Sequence, residues 1–439
     1  MAFGSQQGQV ESLTNLAGLV HDTFYGRVLP NVRSESPVAQ LFKEAGAGEY
    51  QFVGDTMHFA CDLEFPTGAM ATSGQLPDHV GMDAVEGNVT PIRRYRRVAL
   101  DNFVEKRVSG AGAYDNLSDR VFDILWDSWK YMEIRHSIGP SSALIGAVES
   151  RTSSTVFVIK DAFGNVGTDP CSHLSNGALI AWWDMTATAA IDGAGTISDL
   201  DYATRTVTVT TAATWEPGDV LAADDLIYFA TTNNISTDYF ISERNLGPNG
   251  LGTIVDPGAA STTVFGIVEG DHGRWKPFRQ TSVTFDHLEV TEHWQQLGAK
   301  RGMKVSPQTD VAVTFPACTA QLARSLLAFQ QQAYTGGDLK GGYASVTVAG
   351  MPIMDDTFFY HNVFMTLRKE GLYRVSLGGE ADFFSEDGSM WSRISDFDGK
   401  EAQVGEYMNT FCSGRGANGA LTGIVTDVTD SGWTNTPNY

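Results

Sequence analysis

"YDNLSDRVFDILWDSWKYMEIRHSIG", Tyr114 to Gly139, carries the clearest periodicity in the chain. Leu117, Val121, Leu125, Trp129 and Met132 recur at near-helical spacing, and Asp119, Asp123, Asp127 and Lys130 fall mostly off that stripe. Asp115 can cap the start and Gly139-Pro140 stops the end. The pattern predicts one helix of about 23 residues, a rod of roughly 35 Å. That is long for a globular domain.

Upstream, "GDTMHFACDLEFPTGAMATSGQLPDHVGMDAVEGNVTPIRRYRRVALDNF" (residues 54 to 103) has strand-like flanks, "TMHFACDLEF" and "NVTPIRRYRRVAL", around a middle rich in Gly, Pro and Asp. It reads as a long two-stranded excursion with a mobile tip. A lone ribbon is marginal in water and needs a surface to lie on; a neighbouring subunit is the natural candidate. Residues 1 to about 45 read as an arm. "ESLTNLAGLVHDTFYGRVLP" can form a short helix, but Pro30 and Pro37 stop it and no core lies nearby.

Downstream, residues 150 to 273 are β-rich: "STVFVIK", "RTVTVTTA", "GDVLAADDLIYFA" and "TTVFGIVEG", split by Gly, Asn and Asp turns. "TWEPGDVLAADDLIYFA" reads as a tight strand pair in a small barrel or sandwich. Then "FDHLEVTEHWQQLGAKRG" predicts a helix, and "DVAVTFPACTAQLARSLLAFQQQAY" a strand leading into another. The final third returns to strands. No fixed-period repeat occurs, which argues against solenoids and propellers.

The 439 residues suggest two or three domains. Charged residues are only 19%, below the ordinary quarter, beside 46 glycines. This is the profile of a β-rich chain with much of its surface covered, for example by copies of itself. The formal charge of −22 argues against a dedicated phosphate binder. From Glu149 to Gly273 there are 16 Asp and Glu against four Lys and Arg, so over half of the imbalance sits in a segment that should face solvent. Cys61, Cys171, Cys318 and Cys412 form no CxxC pair and read as small buried apolar residues in a reducing compartment. "MAFGSQQGQVESL" lacks a basic start and an apolar run, and stretches such as "ALIAWW" are too short to span a bilayer. A soluble protein made inside the cell is expected.

The candidate chemistry is thin. Gly414-x-Gly416-x-x-Gly419 has dinucleotide-loop spacing, but no βαβ context surrounds it and only twenty residues follow. The glycines are better read as permitting a chain reversal or close backbone contact. There is no Walker loop, GxSxG elbow or HExxH. His287, Glu289, Glu292 and His293 cluster, but histidines six apart miss the i, i+4 spacing of a helical metal pair, so a surface or interface role is preferred. Asp396 and Asp398 before Gly399 match only part of a calcium loop and read as a solvated turn. "RRYRR", Arg93 to Arg97, is the only dense basic run. On a strand its arginines alternate faces, which suits ion pairs on both sides of a ribbon, between subunits in the preferred reading; a nucleic-acid contact is the other. No catalytic, cofactor-binding or metal-ligating residue is assigned.

An arm, an extended ribbon, one long helix and a mixed α/β region returning to strands follow an order that resembles the major capsid proteins of tailed bacteriophages, the Hong Kong-97 (HK97) type of fold. "GAKRGMKVSPQTDVAV" resembles that family's helix, glycine and entry into a core strand. "VTVAGMPIMDD" resembles its Gly-x-Pro-hydrophobic-x-Asp strand, and "MWSRISDFDGKEAQVGEYMNTFCSGRGANGALTGI" (Met390 to Ile424) its last segment. The resemblance implies an α+β fold divided as N-terminal arm (1–45), E-loop (46–106), P-domain with the spine helix (107–150), P-domain strands with an inserted β-subdomain (151–280), A-domain and core helix (281–400), and a C-terminal P-domain strand and tail (401–439).

It further implies a non-enzymatic shell protein, forming hexamers and pentamers of itself in an icosahedral virion capsid assembled in the host cytoplasm. Partners would be portal, separate scaffold and decoration proteins, with non-specific contact to packaged double-stranded DNA and none to membrane. No lysine occurs between Lys43 and Lys106, so the proposed E-loop has no amine for the covalent cross-link some members use. By the same resemblance, residues 1 to 45 are expected to be the arm itself and not the cleavable N-terminal scaffolding segment that some members carry. The alternatives are an encapsulin-like compartment, a tail or decoration protein, and a β-rich hydrolase.

Overall fold

In the computed structural model of the chain, the stripe after Asp115 forms a helix, α1 (Leu117–Ile138). The structure describes residues 36–45, 52, 54–64, 83–103, 117–161, 174–183, 191–202, 204–210, 226–230, 245–282, 284–330, 346–377, 382–383, 391–394 and 398–424. The arm before Ser36, the ribbon tip at 65–82, Cys171, Asp396 and all of "TWEPGDVLAADD", and with it the first half of the expected strand pair, lie outside them. Two compact units divide the chain. The described part of the first comes from 91–135 and 376–408, and that of the second from 36–90, 136–375 and 409–424. Residues 281–400, read as one domain from sequence, therefore contribute to both.

In the first unit, α1 covers a sheet. β4 (Ile92–Asp101) runs antiparallel to β21 (Gly399–Cys412), from Ile92 opposite Met408 to Asp101 opposite Gly399. Short strands β19 (Asp382–Phe383) and β20 (Ser392–Arg393) also pair with β21. The predicted stripe is the buried one: Leu125, Trp129 and Met132 pack on Ala402 and Val404. The polar positions Asp123 and Lys130 stay exposed.

The described residues of the second unit contain three larger β assemblies besides a small two-stranded turn at 263–268. β2 (Met57–Glu64) and β3 (Asp83–Val89) form the ribbon. Next comes a closed barrel of β5 (Gly146–Arg151), β6 (Val156–Asp161), β7 (Leu179–Trp183), β8 (Ile191–Asp201), β9 (Thr206–Val209) and β10 (Leu226–Phe229), in the order β10-β5-β6-β9-β8-β7. It answers the barrel-or-sandwich expectation. Alternate residues Phe157 and Ile159, Ile180 and Trp182, and Val207 and Val209 point into one core with Ile197 and Ile227. Register shifts at Val148/Ser150, Trp182/Trp183 and Ile197/Asp199 supply the local bends that closure demands. Closure removes the exposed edges that a free sheet would carry.

The third assembly is a six-stranded sheet with the order β13-β22-β17-β14-β16-β15, built from β13 (Phe278–Thr281), β14 (Asp310–Thr314), β15 (Thr347–Val348), β16 (Met351–Asp355), β17 (Phe364–Arg368) and β22 (Gly419–Thr422). After the single helical turn α2 (Leu251–Val255), two longer helices, α3 (His287–Arg301) and α4 (Pro316–Gln330), match the two predicted ones and share a core with the sheet through Val290, Trp294, Leu297, Cys318, Leu322, Phe364 and Leu421. α4 begins on Pro316, whose missing N–H costs nothing in a first turn.

Asp286 caps α3, its side chain accepting from Glu289 N at 2.9 Å, and Gly302 ends the helix at φ 70°. Asp286→Ala should destabilise the chain by about 1 kcal/mol, and Asp286→Asn should restore most of it. The midpoint of denaturant unfolding reads both; equal midpoints for the wild type and the alanine variant would refute it.

Candidate functional site

For a chain read as a shell subunit, the functional surfaces are those that fix its extended segments. The ribbon alternates strictly. Met57, Phe59, Cys61 and Leu63 are buried, whereas His58, Ala60 and Asp62 are exposed. The buried face lies on the chain's own second unit. The Phe59 ring sits 4.9 Å from Phe411 and 6.3 Å from Phe265, in the turn between β11 (Thr263–Val264) and β12 (Ile267–Val268). Gly87 leaves room for the same ring, since a Cβ there would meet Phe59 at 2.4 Å. This corrects the expectation that a neighbour provides the supporting surface: the described ribbon is seated on its own body.

A second correction concerns the ribbon's length. The flank "NVTPIRRYRRVAL" does not stay with its partner; β3 ends at Val89, and β4 begins after Pro91 and pairs with β21. Pro91 has no N–H to continue the ladder, and Thr90 gives its carbonyl to Asn409 Nδ2 at 2.7 Å. The arginines of "RRYRR" do alternate, and two of them find carboxylates within one chain. Arg94 is buried, paired with Glu406 and 5.2 Å from the Trp129 ring centre; Arg97 pairs with Glu401 on the exposed side. Subunit-to-subunit pairing is not needed to satisfy either.

The end of the arm is tied down by one carboxylate. Asp356, 2% exposed, accepts from the Ser36 hydroxyl and from Val38 N, and its other oxygen accepts from Phe358 N at 2.8 Å. Val38 and Phe42 are buried, and β1 (Lys43–Glu44) adds in parallel to β18 (Leu372–Ser376), with Ala45 N donating to Arg374 O. Nothing in the sequence singled out Asp356, because its partners lie some 320 positions away.

The glycine segment closes the second unit. A Cβ at Gly416 would fall 1.6 Å from Arg274 O, and one at Gly419 would meet the His293 ring and Leu297 at 3.1 and 3.2 Å. These glycines are there for close approach, as expected. Just before Gly416 lies Arg415, fully buried, paired with Glu269 and donating Nη2 to Asp256 O at 2.7 Å and Thr253 O at 3.2 Å. Glu269 belongs to the acidic stretch expected to face solvent, and here burial with a partner replaces exposure.

In the cluster at 287–293, Glu292 is exposed and His287 and Glu289 are half-buried, as a surface role requires, but His293 departs from that reading. His293 is fully buried between Phe278 and Phe364, and neither ring nitrogen has a hydrogen-bond partner among the described residues. Burial lowers its pKa from 6.5 to about 4, so the ring is neutral. Asp398 accepts from Asn102 Nδ2 at 2.9 Å. Among the described residues no group of three or more His, Cys, Asp or Glu is arranged to hold a metal ion, and no helix is long and apolar enough to cross a membrane. Cys61, Cys318 and Cys412 are free and buried, with burial pushing each thiol well above its usual range.

No model of a known protein family matches the sequence, and no curated protein does. The fold does have solved counterparts. A chain of the Cyanophage A-1(L) capsid asymmetric unit is similar over 94% of this chain and 98% of its own, at 12% identity and a TM-score of 0.53. A chain of the Cyanophage P-SCSP1u capsid aligns over 91% of each at 9% identity and a TM-score of 0.45. One of the holo-SrpI encapsulin complex from Synechococcus elongatus PCC 7942 aligns over 95% of this chain and 97% of its own at 8% identity and 0.44. The likeness to the first establishes the fold: this chain has the α+β fold of a phage capsid protein, as the order of its sequence features implied.

Proposed function

We propose that this chain is the major capsid protein of a tailed double-stranded DNA bacteriophage, building an icosahedral shell from hexamers and pentamers of itself. The observation that carries the reading is the end-to-end likeness to the Cyanophage A-1(L) capsid chain, which leaves almost none of either chain unmatched. On this reading residues 1–45 are the arm, the ribbon belongs to the E-loop, α1 is the spine helix of the P-domain, α3 and α4 belong to the A-domain, and the barrel is the inserted subdomain. The protein's work is then physical rather than catalytic.

The seated base changes how the ribbon acts. Its apolar face is used up by its own unit, so the polar face of His58, Ala60 and Asp62 is the one left for a neighbour. Contacts through it would be hydrogen bonds and ion pairs at a rim rather than a buried apolar strap. The anchored residues 36–45 fix where the arm starts. Scaffold, portal and decoration proteins are the expected partners, and the virion the expected location.

Electron microscopy of the full-length protein expressed alone and with a scaffold candidate tests the reading. Uniform closed shells are the expected result, and dispersed monomers under both conditions would overturn it. Shells that reject DNA yet enclose a co-expressed enzyme would favour a protein compartment. Because residues 44–105 contain no lysine, assembled shells should run as a single monomer band on a denaturing gel. A ladder of covalent oligomers would refute the absence of cross-links.

A further inference from the structure

The charge of −22 is not spread over the whole molecule. Around the C-terminal end of α3, cations gather from four separate stretches of the second unit. Lys300 Nζ donates to Lys276 O, and Lys276 Nζ donates to Gly258 O at 2.9 Å. Arg301 bridges to Ala417 O at 3.3 Å, next to Gly416, whose backbone lies against Arg274 O. Arg368 reaches the Met303 sulfur at 3.7 Å, beside Lys304, and Lys369 Nζ donates to Pro307 O at 2.9 Å.

The carboxylates in this region are mostly spent. Arg301 holds Asp310 through two bonds of 2.7 Å, Arg415 holds Glu269, and Arg368 holds Glu370 at 3.3 Å. The same region also carries Arg274, Lys276, Lys300, Lys304 and Lys369, of which Arg274 and Lys304 are exposed and the others partly so, against the exposed Asp271 and the exposed Asp256, which Arg279 holds. The crowding registers on Lys300: burial, Lys276 and Arg415 together lower its pKa to about 8.

We propose that this face binds the phosphate backbone of double-stranded DNA without reading its sequence. The chemistry favours that ligand over an acidic peptide. The five cations are long side chains gathered from three stretches around the end of α3, which suits the closely repeated charges of a duplex. The one aromatic side chain among them, Trp275, is buried, so no ring is offered for stacking on unpaired bases. The inference rests on the shell reading and deepens it by naming the surface that meets the enclosed genome; the acidic barrel stretch is unsuited to that role.

The test uses the full-length protein, as shells and as subunits, with a random-sequence DNA duplex as the probe. Replacing Arg274, Lys276, Lys300, Lys304 and Lys369 by Gln should weaken binding at low salt by at least about tenfold. It should also flatten the dependence of log affinity on log salt by up to about 4.5, near 0.9 for each phosphate no longer neutralised. Arg151→Gln with Arg393→Gln, which removes two exposed cations elsewhere, should leave both unchanged. Should the fivefold variant fail to fold, Arg274→Gln and Lys304→Gln at exposed positions are measured singly on subunits, each expected to flatten the slope by about 0.9.

Wild-type and variant slopes that coincide, or polyglutamate competing as well as DNA at equal charge, would overturn the inference. Intact shells with unchanged slopes would refute this face alone. Subunits that never close but lose DNA affinity on substitution would refute the shell reading and keep the face.

Discussion

Glu269→Ala lowers the unfolding free energy of the chain by about 3–5 kcal/mol, the usual cost of stranding one member of a buried ion pair. Both side chains are wholly inaccessible. Removing the carboxylate leaves the Arg415 guanidinium hydrogen-bonded to the carbonyls of Thr253 and Asp256, with the Asp256 carboxylate, already paired with Arg279, as a weaker countercharge. Even in the native protein the site is imperfectly satisfied, because the second Glu269 oxygen has no hydrogen-bond partner among the described residues. The double replacement Glu269→Leu with Arg415→Met should therefore recover most of the loss, since no charge is left to desolvate. By contrast Glu401→Ala, which breaks the pair with the half-exposed Arg97, should cost under about 1 kcal/mol. Equilibrium unfolding of dissociated subunits in denaturant measures all three. Equal losses for Glu269→Ala and Glu401→Ala would mean that burial does not set the scale.

Acid should unfold the protein before its carboxylates demand it. His293 titrates at about 4 in the folded chain and near 6.5 when unfolded, so between these values the unfolded state binds more protons. Stability is complete above about pH 6.5 and falls as pH drops towards 4, by about 3 kcal/mol across the window. The ring's surroundings explain the sign. Phe278 and Phe364 press on it, Gly419 backs against it, and no described group accepts a proton from it. His361 is lowered by burial to about 4 as well, so His293→Leu, which keeps an apolar side chain of similar size, should remove about half of the slope between pH 4 and 6.5 while leaving stability at pH 7.5 within about 1.5 kcal/mol. A profile as steep as that of the wild type would place the titration elsewhere.

Local chemistry made much of the fold legible. The stripe of α1, the Asp286 cap and Gly302 stop of α3, and the Pro316 start of α4 depend on neighbours within a few positions. Such signals survive in one dimension. The order arm, ribbon, helix and mixed region was enough to suggest the capsid type, and the turn and short apolar runs of "TWEPGDVLAADDLIYFA" were enough to suggest a small barrel or sandwich. The glycines of the closing segment were read correctly as close-approach positions, although what approaches them, Arg274 O and the His293 ring, was not visible.

The misreadings share one cause. Whether Arg94 meets its own Glu406 or a neighbour's, whether Glu269 faces water or Arg415, and whether His293 is at the surface or in the core all depend on partners some 70 to 310 positions away. So do the seat of Phe59 on Phe411 and the hold of Asp356 on Ser36. A strand pattern states which face will be buried without stating against what, because period-2 alternation is the same for either partner. Composition and periodicity thus determined the kinds of element and the order in which they come. The pairing of distant charges and the choice of covering surface belonged to the tertiary structure, since electrostatics and burial act through space and not along the chain.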